Sequence, residues 1–377
     1  MRNRVSFTYL KNVESTDPNY PWNAATFYSY DIHGNVDTLL QDYGSRLSAQ
    51  SVNVMNNNFN RWKRIVYQYD LISGKVNTVA YQPGQVDAFY HRYNYDAENR
   101  LTLVETSNDK VYWEKDARYS YYKHGPLART ILGEQQVQGI DYAYTLQGWL
   151  KGVNSTSVGD GTYDMGEDGK VGGMNAMVAR DAYSFGLHYF QNDNDNRRDY
   201  KAISVSKTPF ANPGISGAAP YAELFNGNIG AMSVNIPKIG DALLNVYKYD
   251  QLNRLTKTYV YKGLNATNAW SKTSLTNNAY REQITYDANG NIKTYKRNGD
   301  PTRSNTNGTG MDNMTYTYKA NKNQLDKVVD AAADASVANY PNYNDIKQGQ
   351  ANGNYTYHII FAPDTFFWTS EKNCGNL

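Results

Sequence analysis

The chain has 377 residues, with 38 Lys+Arg against 36 Asp+Glu, a formal net charge of +2 and one cysteine, Cys374. That balance offers no basic stripe to steer a nucleic acid, and a single cysteine excludes an intrachain disulfide framework. Mean hydropathy is −0.73, yet the chain carries 35 Tyr. Disordered chains are poor in aromatics, so the composition points to a folded protein built of thin tyrosine-lined sheets rather than a thick helical core. No apolar run reaches the length of a membrane span, and the opening MRNRVSFTYL shows no apolar signal region.

Residues 1–26 read as a lead-in. Val5 to Tyr9 alternates like a strand, and Asp17-Pro18 and Tyr20-Pro21 punctuate a loop. A hairpin is predicted from Phe27 to Tyr43. Tyr28 and Tyr30 sit two apart and share one face of a strand, Asp31 can bond its own downstream backbone, and Gly34 supplies a turn. The stretch from Leu47 to Arg64 reads as two strand pieces around an Asn-rich turn. The same hairpin returns with Tyr67, Tyr69, Asp70 and Gly74, and again with Tyr93, Tyr95, Asp96, Arg100 and Leu101. Degraded copies start at Tyr119 and Tyr142.

The region of about 145–245 holds no full copy and reads as a decorated insertion. Within it, Asn154 to Gly173 is a Gly/Asp-rich loop. Asp160, Asp164 and Asp168 there could hold Ca²⁺ or simply face solvent; their spacing fails the EF-hand pattern, and no metal is assigned. Phe185 to Phe190 reads as a strand, and Tyr221 to Ile236 as a strand pair turning at Asn226-Gly227. The hairpin then resumes with Tyr247, Tyr249, Asp250, Arg254 and Leu255, followed by a copy with Tyr286, Asp287 and Gly290, and another at Tyr316. Asn298 to Asp312 reads as a hairpin tip, and Asp326 to Ala338 is the best helix candidate. A half-copy starts at Tyr355. Residues 358–377 break the pattern and read as a non-repeat tail, either a truncated product or a cap.

The second aromatic of each copy falls at Tyr30, Tyr69, Tyr95, Tyr121, Tyr144, Tyr249, Tyr286, Tyr318 and Tyr357, in steps of 39, 26, 26, 23, 105, 37, 32 and 39 residues. Unequal steps around a fixed core describe one hairpin unit with variable outer loops. The unit Tyr-x-Tyr-Asp-x-x-Gly-Arg-Leu resembles the YD-repeat of the RHS family, with wording between copies similar to Bacteroidetes-type members and a distant likeness to teneurins. The best copies are Tyr93 to Leu101 and Tyr247 to Leu255, where Asn stands for Gly; Tyr28 to Val36 and Ile284 to Ile292 keep Gly and replace Arg by Asn. The resemblance covers 27–357 and implies an all-β fold, a coiling antiparallel sheet of hairpins forming a solenoid- or cocoon-like shell fragment. It also implies a non-catalytic shell that encloses or presents an associated polypeptide, often a toxin. The implied partners are other repeats and the core and C-terminal domain of the parent polypeptide, and the implied place is outside the cell or on its surface. A surface adhesin or carbohydrate-binding repeat, with glycans as partners, is the alternative. Neither Asp17-Pro18 nor Asp300-Pro301 continues into the family's DPxG core motif. Open sheet edges at both ends predict self-association.

Catalytic chemistry is thin in the sequence. His33, His91, His124, His188 and His358 lack metal-ligand spacing, and no GxSxG or Walker loop is present. The recurring Asp31, Asp70, Asp96, Asp250 and Asp287 hold one place in one turn, as backbone capping requires, rather than forming acid/base pairs. No catalytic residue and no cofactor is expected. Trp113, Trp149 and Trp270 are the candidate platforms for sugar rings, against a packing role.

Overall fold

A computed structural model describes residues 4–10, 24–43, 61–157, 163–192, 197–198, 209–214, 221–274, 279–299, 311–332, 350–362 and 365–371. The described residues form strands and turns, with no helix among them. The all-β, antiparallel hairpin expectation therefore holds. The chain divides into two units, 1–141 with 171–179, and 142–170 with 180–377.

The first unit is an antiparallel meander. Its strands are β1 (Phe7–Leu10), β2 (Ala24–Tyr30), β3 (Val36–Asp42), β4 (Trp62–Tyr69), β5 (Val76–Tyr81), β6 (Phe89–Tyr95), β7 (Leu101–Ser107), β8 (Glu114–Tyr121) and β9 (Leu127–Leu132). It ends on the first residues of β10 (Gln138–Tyr144), Gln138 to Asp141, which pair with β9. Each strand pairs with the next in sequence. β2, β4, β6 and β8 are the tyrosine-led arms, and β3, β5, β7 and β9 are their return arms. Within each leading arm the residue between the two tyrosines is exposed (Ser29, Gln68, Asn94, Ser120) while the tyrosines are half-buried. That is the period-2 alternation of a strand with one covered face. Charged pairs close the opposite ends of the hairpins. Arg61 donates to the buried Asp42 at 2.7 Å, Arg92 pairs with Glu105 at 2.8 Å, and Arg129 pairs with Asp141.

In the second unit, Tyr142 to Tyr144 of β10 pair with β11 (Leu150–Val153). The sheet continues through β12 (Ser184–His188), β15 (Ala231–Asn235), β16 (Leu243–Tyr249) and β17 (Leu255–Leu264). A two-strand pair, β13 (Gln191–Asn192) with β14 (Arg197–Arg198), stands apart from it. β17 then bonds both β18 (Trp270–Ser274) and β19 (Glu282–Tyr286). β20 (Ile292–Arg297), β21 (Asp312–Tyr318) and β22 (Leu325–Asp330) follow in order. β23 (Thr356–Ala362) and β24 (Thr365–Glu371) make a hairpin of their own. The apolar core here is Ala211, Ala231, Ala242, Leu244, Val246, Tyr261 and Trp270, with Tyr221, Tyr259 and Leu264 packed on it.

Two sequence expectations are corrected. The helix proposed for Asp326 to Ala338 is a strand over its described part, because β22 is the return arm of the Tyr316 hairpin. Leu325 lies opposite Tyr318, and the β-branched Val328 and Val329 suit a pleated surface. Residues 333–338 of that stretch lie outside the described residues. The strand pair expected from Tyr221 to Ile236 is also absent. Only Ala231–Asn235 is a strand, and Tyr221 to Ile229 runs as an irregular segment tied by Leu224 N–H to the carbonyl of Tyr189, the residue after β12, at 2.8 Å. The Asn-rich turn near Leu47 and the tip at Asn298 to Asp312 fall largely outside the described residues.

Candidate functional site

The repeated turn is the most recurrent constellation in the molecule. In the copy at Tyr93, Asp96 N–H bonds the Arg100 carbonyl and Asn99 N–H bonds the Asp96 carbonyl, a short hairpin loop with a bulge. Asn99 sits at φ 61°, the left-handed region that Gly and Asn tolerate best. The same place holds Gly34 at φ 90°, Gly290 at 89° and Asn253 at 61°. This explains the exchange of Asn for Gly between copies. Gly74 has the same role in a loop one residue longer.

The aspartate locks that loop. One Asp96 oxygen accepts from Glu98 N–H at 3.0 Å and Arg100 N–H at 2.8 Å, while the other accepts from Arg100 Nε at 2.7 Å. Asp250 repeats the pattern with Leu252 and Arg254. Asp31 and Asp287 take the backbone N–H and the side-chain amide of Asn35 and Asn291. Asn therefore replaces Arg because either can donate to the second carboxylate oxygen. Asp70 caps Ile72 and Ser73. The Arg254 backbone N–H is the chief cause that holds Asp250 below its ordinary value of 3.8, and the Asn291 amide does the same for Asp287. For Asp96, desolvation acts upward, and the bonds from Arg100 outweigh it. In the degraded copy at Tyr142, Thr145 takes the place of Asp, and its hydroxyl accepts from Trp149 N–H at 3.1 Å.

The second tyrosine explains why the motif recurs. Tyr95 donates its hydroxyl to the Val76 carbonyl at 2.8 Å, and Tyr121 donates to Leu101 at 2.7 Å. Tyr69 donates to Val36 at 2.9 Å, Tyr286 to Leu255 at 2.8 Å, Tyr318 to Ile292 at 3.0 Å and Tyr357 to Leu325 at 3.2 Å. In every case the acceptor is the first return-arm residue of the preceding copy, the place written Leu in the repeat. Each of these six second tyrosines staples its copy to the predecessor by one phenol. Arginine reinforces the joint: Arg100 stacks on Tyr121 at 4.5 Å and Arg254 on Tyr286 at 4.7 Å, each reaching the next copy's tyrosine. Burial pushes the phenols of Tyr69, Tyr95, Tyr121, Tyr249, Tyr286 and Tyr318 up.

The first tyrosines, Tyr28, Tyr67, Tyr93 and Tyr247, share the strand face with their stapled neighbours. Tyr67 stacks on Tyr69 at 6.4 Å. Leu101 and Leu255 open their return arms opposite Tyr95 and Tyr249.

Two half-copies escaped the sequence reading. Asn226-Gly227-Asn228-Ile229 repeats Asn289-Gly290-Asn291-Ile292. Tyr249 donates to the Ile229 carbonyl at 2.8 Å, as a staple should. Asn226 and Asn228 bond the Asn253 side chain at 2.9 and 3.0 Å, and Asn289 and Asn291 bond Asn323 at 3.1 and 3.0 Å. Arg4-Val5 repeats Arg100-Leu101: Tyr30 donates to the Val5 carbonyl at 2.7 Å and Arg4 lies over the Tyr30 ring at 5.3 Å. The signal in both was the short Asn-Arg or Gly-Asn turn without its leading tyrosines.

Elsewhere, Lys151 Nζ lies 3.3 Å from His188 Nδ1, and His188 Nε2 lies 3.2 Å from Ser233 Oγ, all three buried. Asp164 accepts from the N–H groups of Gly166 and Asp168. Asp160 and Cys374 lie outside the described residues. Among the described residues no group of three or more His, Cys, Asp or Glu could hold a metal ion. The sugar platforms fare poorly. Trp270 is a core residue at 8% exposure, and Arg92 covers the Trp113 ring at 4.3 Å. Trp149 is half-buried and packs on Tyr189 at 5.1 Å.

No family model matches the chain, and no curated protein matches it. Similar solved structures include the Tc holotoxin pore of Photorhabdus luminescens, at 11% identity over 93% of this chain and 17% of that one, TM-score 0.34. A TcdB2-TccC3 crystal structure is similar at 12% identity over 82% of this chain and 17% of that one, TM-score 0.33. A porin-like protein from Bacteroides uniformis gives 8% identity over 86% of this chain and 94% of that one, TM-score 0.19. The chain spans 17% of the toxin chains. At these TM-scores the likeness carries no argument about function.

Proposed function

We propose that the chain is a non-catalytic segment of a repeat shell that encloses or presents an associated polypeptide, in the manner the YD-repeat resemblance implies. The staple carries this reading. A hairpin tied to its predecessor through one phenol and one carbonyl can be added again and again without a new core, which is the logic of a wall. The motif's polar groups are spent on that architecture: the aspartates hold turns and the arginines bridge copies. In this reading the sheet coils, and its partners are further repeats and the core and C-terminal domain of the parent polypeptide. It works outside the cell or at its surface.

The test is protection. A protease-sensitive reporter carried on the same polypeptide should be cleaved more slowly than the free reporter while the repeats stay folded. It should regain full sensitivity once they unfold. A reporter cut at the free rate beside a folded repeat region would contradict the enclosure.

A further inference from the structure

The connection from β7 to β8 builds a pocket that the repeat motif does not use. β6, β7 and β8 lie side by side there, with Tyr90 opposite Ser107 and Thr106 opposite Glu114. The ends of these strands and the loop residues between them line a cavity of about 150 Å³. Two aromatic rings stand on its wall, Tyr112 at 64% exposure and Phe89 at 36%. His91 lies edge-on to Phe89 at 5.1 Å and orients that ring. The buried hydroxyls of Thr106 and Ser107 also line the cavity, and each is already a donor, to Asp116 at 3.1 Å and to Asp109 at 3.0 Å.

The charge in this pocket is of one sign. Asp109 and Glu114 both line it. One Asp109 oxygen accepts from the N–H groups of Val111 at 2.8 Å and Tyr112 at 3.0 Å, which hold the carboxyl below its ordinary value of 3.8 and keep it ionised at neutral pH. The other Asp109 oxygen and the whole Glu114 carboxylate have no hydrogen-bond or ion-pair partner among the described residues. The neighbouring cations are engaged elsewhere. Arg92 pairs with Glu105 at 2.8 Å and covers Trp113, Lys110 lies over the Tyr90 ring at 4.5 Å, and Lys115 pairs with Glu134 at 2.9 Å. Uncompensated carboxylates beside aromatic faces suit a ligand with a positive head and an apolar stem. The ammonium gains charge-assisted hydrogen bonds, and the rings attract both the cation and the methylenes.

We propose that this pocket binds a primary alkylammonium group, as carried by a lysine side chain of another polypeptide or by a free diamine. The ammonium sits between Asp109 and Glu114, and the alkyl stem lies against Phe89 and Tyr112. The inference stands apart from the enclosure reading, so the protection test and the test below fail independently.

The probes are Nα-acetyl-lysine methylamide, its neutral Nε-acetylated form, 1,4-diaminobutane and a methyl glucoside, each titrated into the full chain and followed by saturation-transfer NMR of the ligand. Saturable binding of an ammonium probe is expected, with the tighter of the two naming the source. It should be about fivefold weaker for Glu114→Gln, a loss typical of one exposed ion pair, and about threefold weaker for Tyr112→Ala. Tyr112→Phe keeps the ring and should bind as the parent does. The neutral probe leaves the protein unaltered, so its failure to bind is free of any folding defect in a variant. No saturable binding of either ammonium probe, equal binding of the neutral form, tighter binding of the glucoside, or an affinity unchanged in Glu114→Gln would each overturn the proposal.

Discussion

Asn99 shows how much one backbone angle contributes. Its φ of 61° lies where a side chain crowds the following carbonyl unless it is Asn or Gly. Asn99→Ala should destabilise the first unit by about 1 kcal/mol, and Asn99→Gly should leave the denaturation midpoint nearly unchanged. A β-propensity account of the turn would expect Ala to be the milder change. Asp96, Asp250 and their arginines were legible in the sequence because their bonds are local, within four residues. The staple was not, since Tyr69 reaches a carbonyl 33 residues back and the sequence names no acceptor when that acceptor is a backbone carbonyl.

The hairpin is the element that the sequence states best. Alternation, an Asp-led turn and a resumed strand are all short-range signals, and each tyrosine-led arm lies where it was expected. β22 was misread because Asp326 to Ala338 is rich in alanine and short-range propensity favoured a helix, whereas pairing with β21 decided the matter. The turn at Asn226-Gly227 was recognised but assigned to an isolated hairpin, because its leading arm has lost both tyrosines. The second unit has a compact apolar core, shared between the insertion and the Tyr247 hairpin, with Leu244 of β16 at 0% exposure. Leu244→Ala should cost about 2–5 kcal/mol in chemical denaturation. A cost under about 1 kcal/mol would mean that the second unit is held by its ladders alone.

Across the molecule the tyrosines set an alkaline limit. Burial raises the phenols of Tyr69, Tyr95, Tyr121, Tyr249, Tyr286 and Tyr318 above the ordinary 10.0, and Tyr295, desolvated and beside Glu282, is pushed up to about 12. A raised folded value means the protonated phenol is favoured by folding. Each raised phenol's contribution is complete below pH 10.0 and is lost above it as pH passes the raised folded value, which for Tyr295 is about 12. Tyrosinate absorbance should therefore rise together with loss of β-sheet signal in that window; tyrosines that ionise while the sheet stays intact would contradict the staple's role. The aspartates act oppositely. Their folded values lie below 3.8, so the capping contribution is complete above that pH and disappears only as pH falls through the lowered values. Unfolding begun well above pH 3.8 would have to arise elsewhere.

The central claim is that the second tyrosine of each copy, and not the first, ties successive hairpins together. The most direct measurement compares the denaturation midpoints of Tyr69→Phe and Tyr95→Phe with those of Tyr67→Phe and Tyr93→Phe. Each of the first pair should lose about 1 kcal/mol, since a hydroxyl leaves a carbonyl without its donor, and each of the second pair should change by less than about 0.5 kcal/mol. Equal losses at all four positions, or larger losses at Tyr67 and Tyr93, would contradict the account.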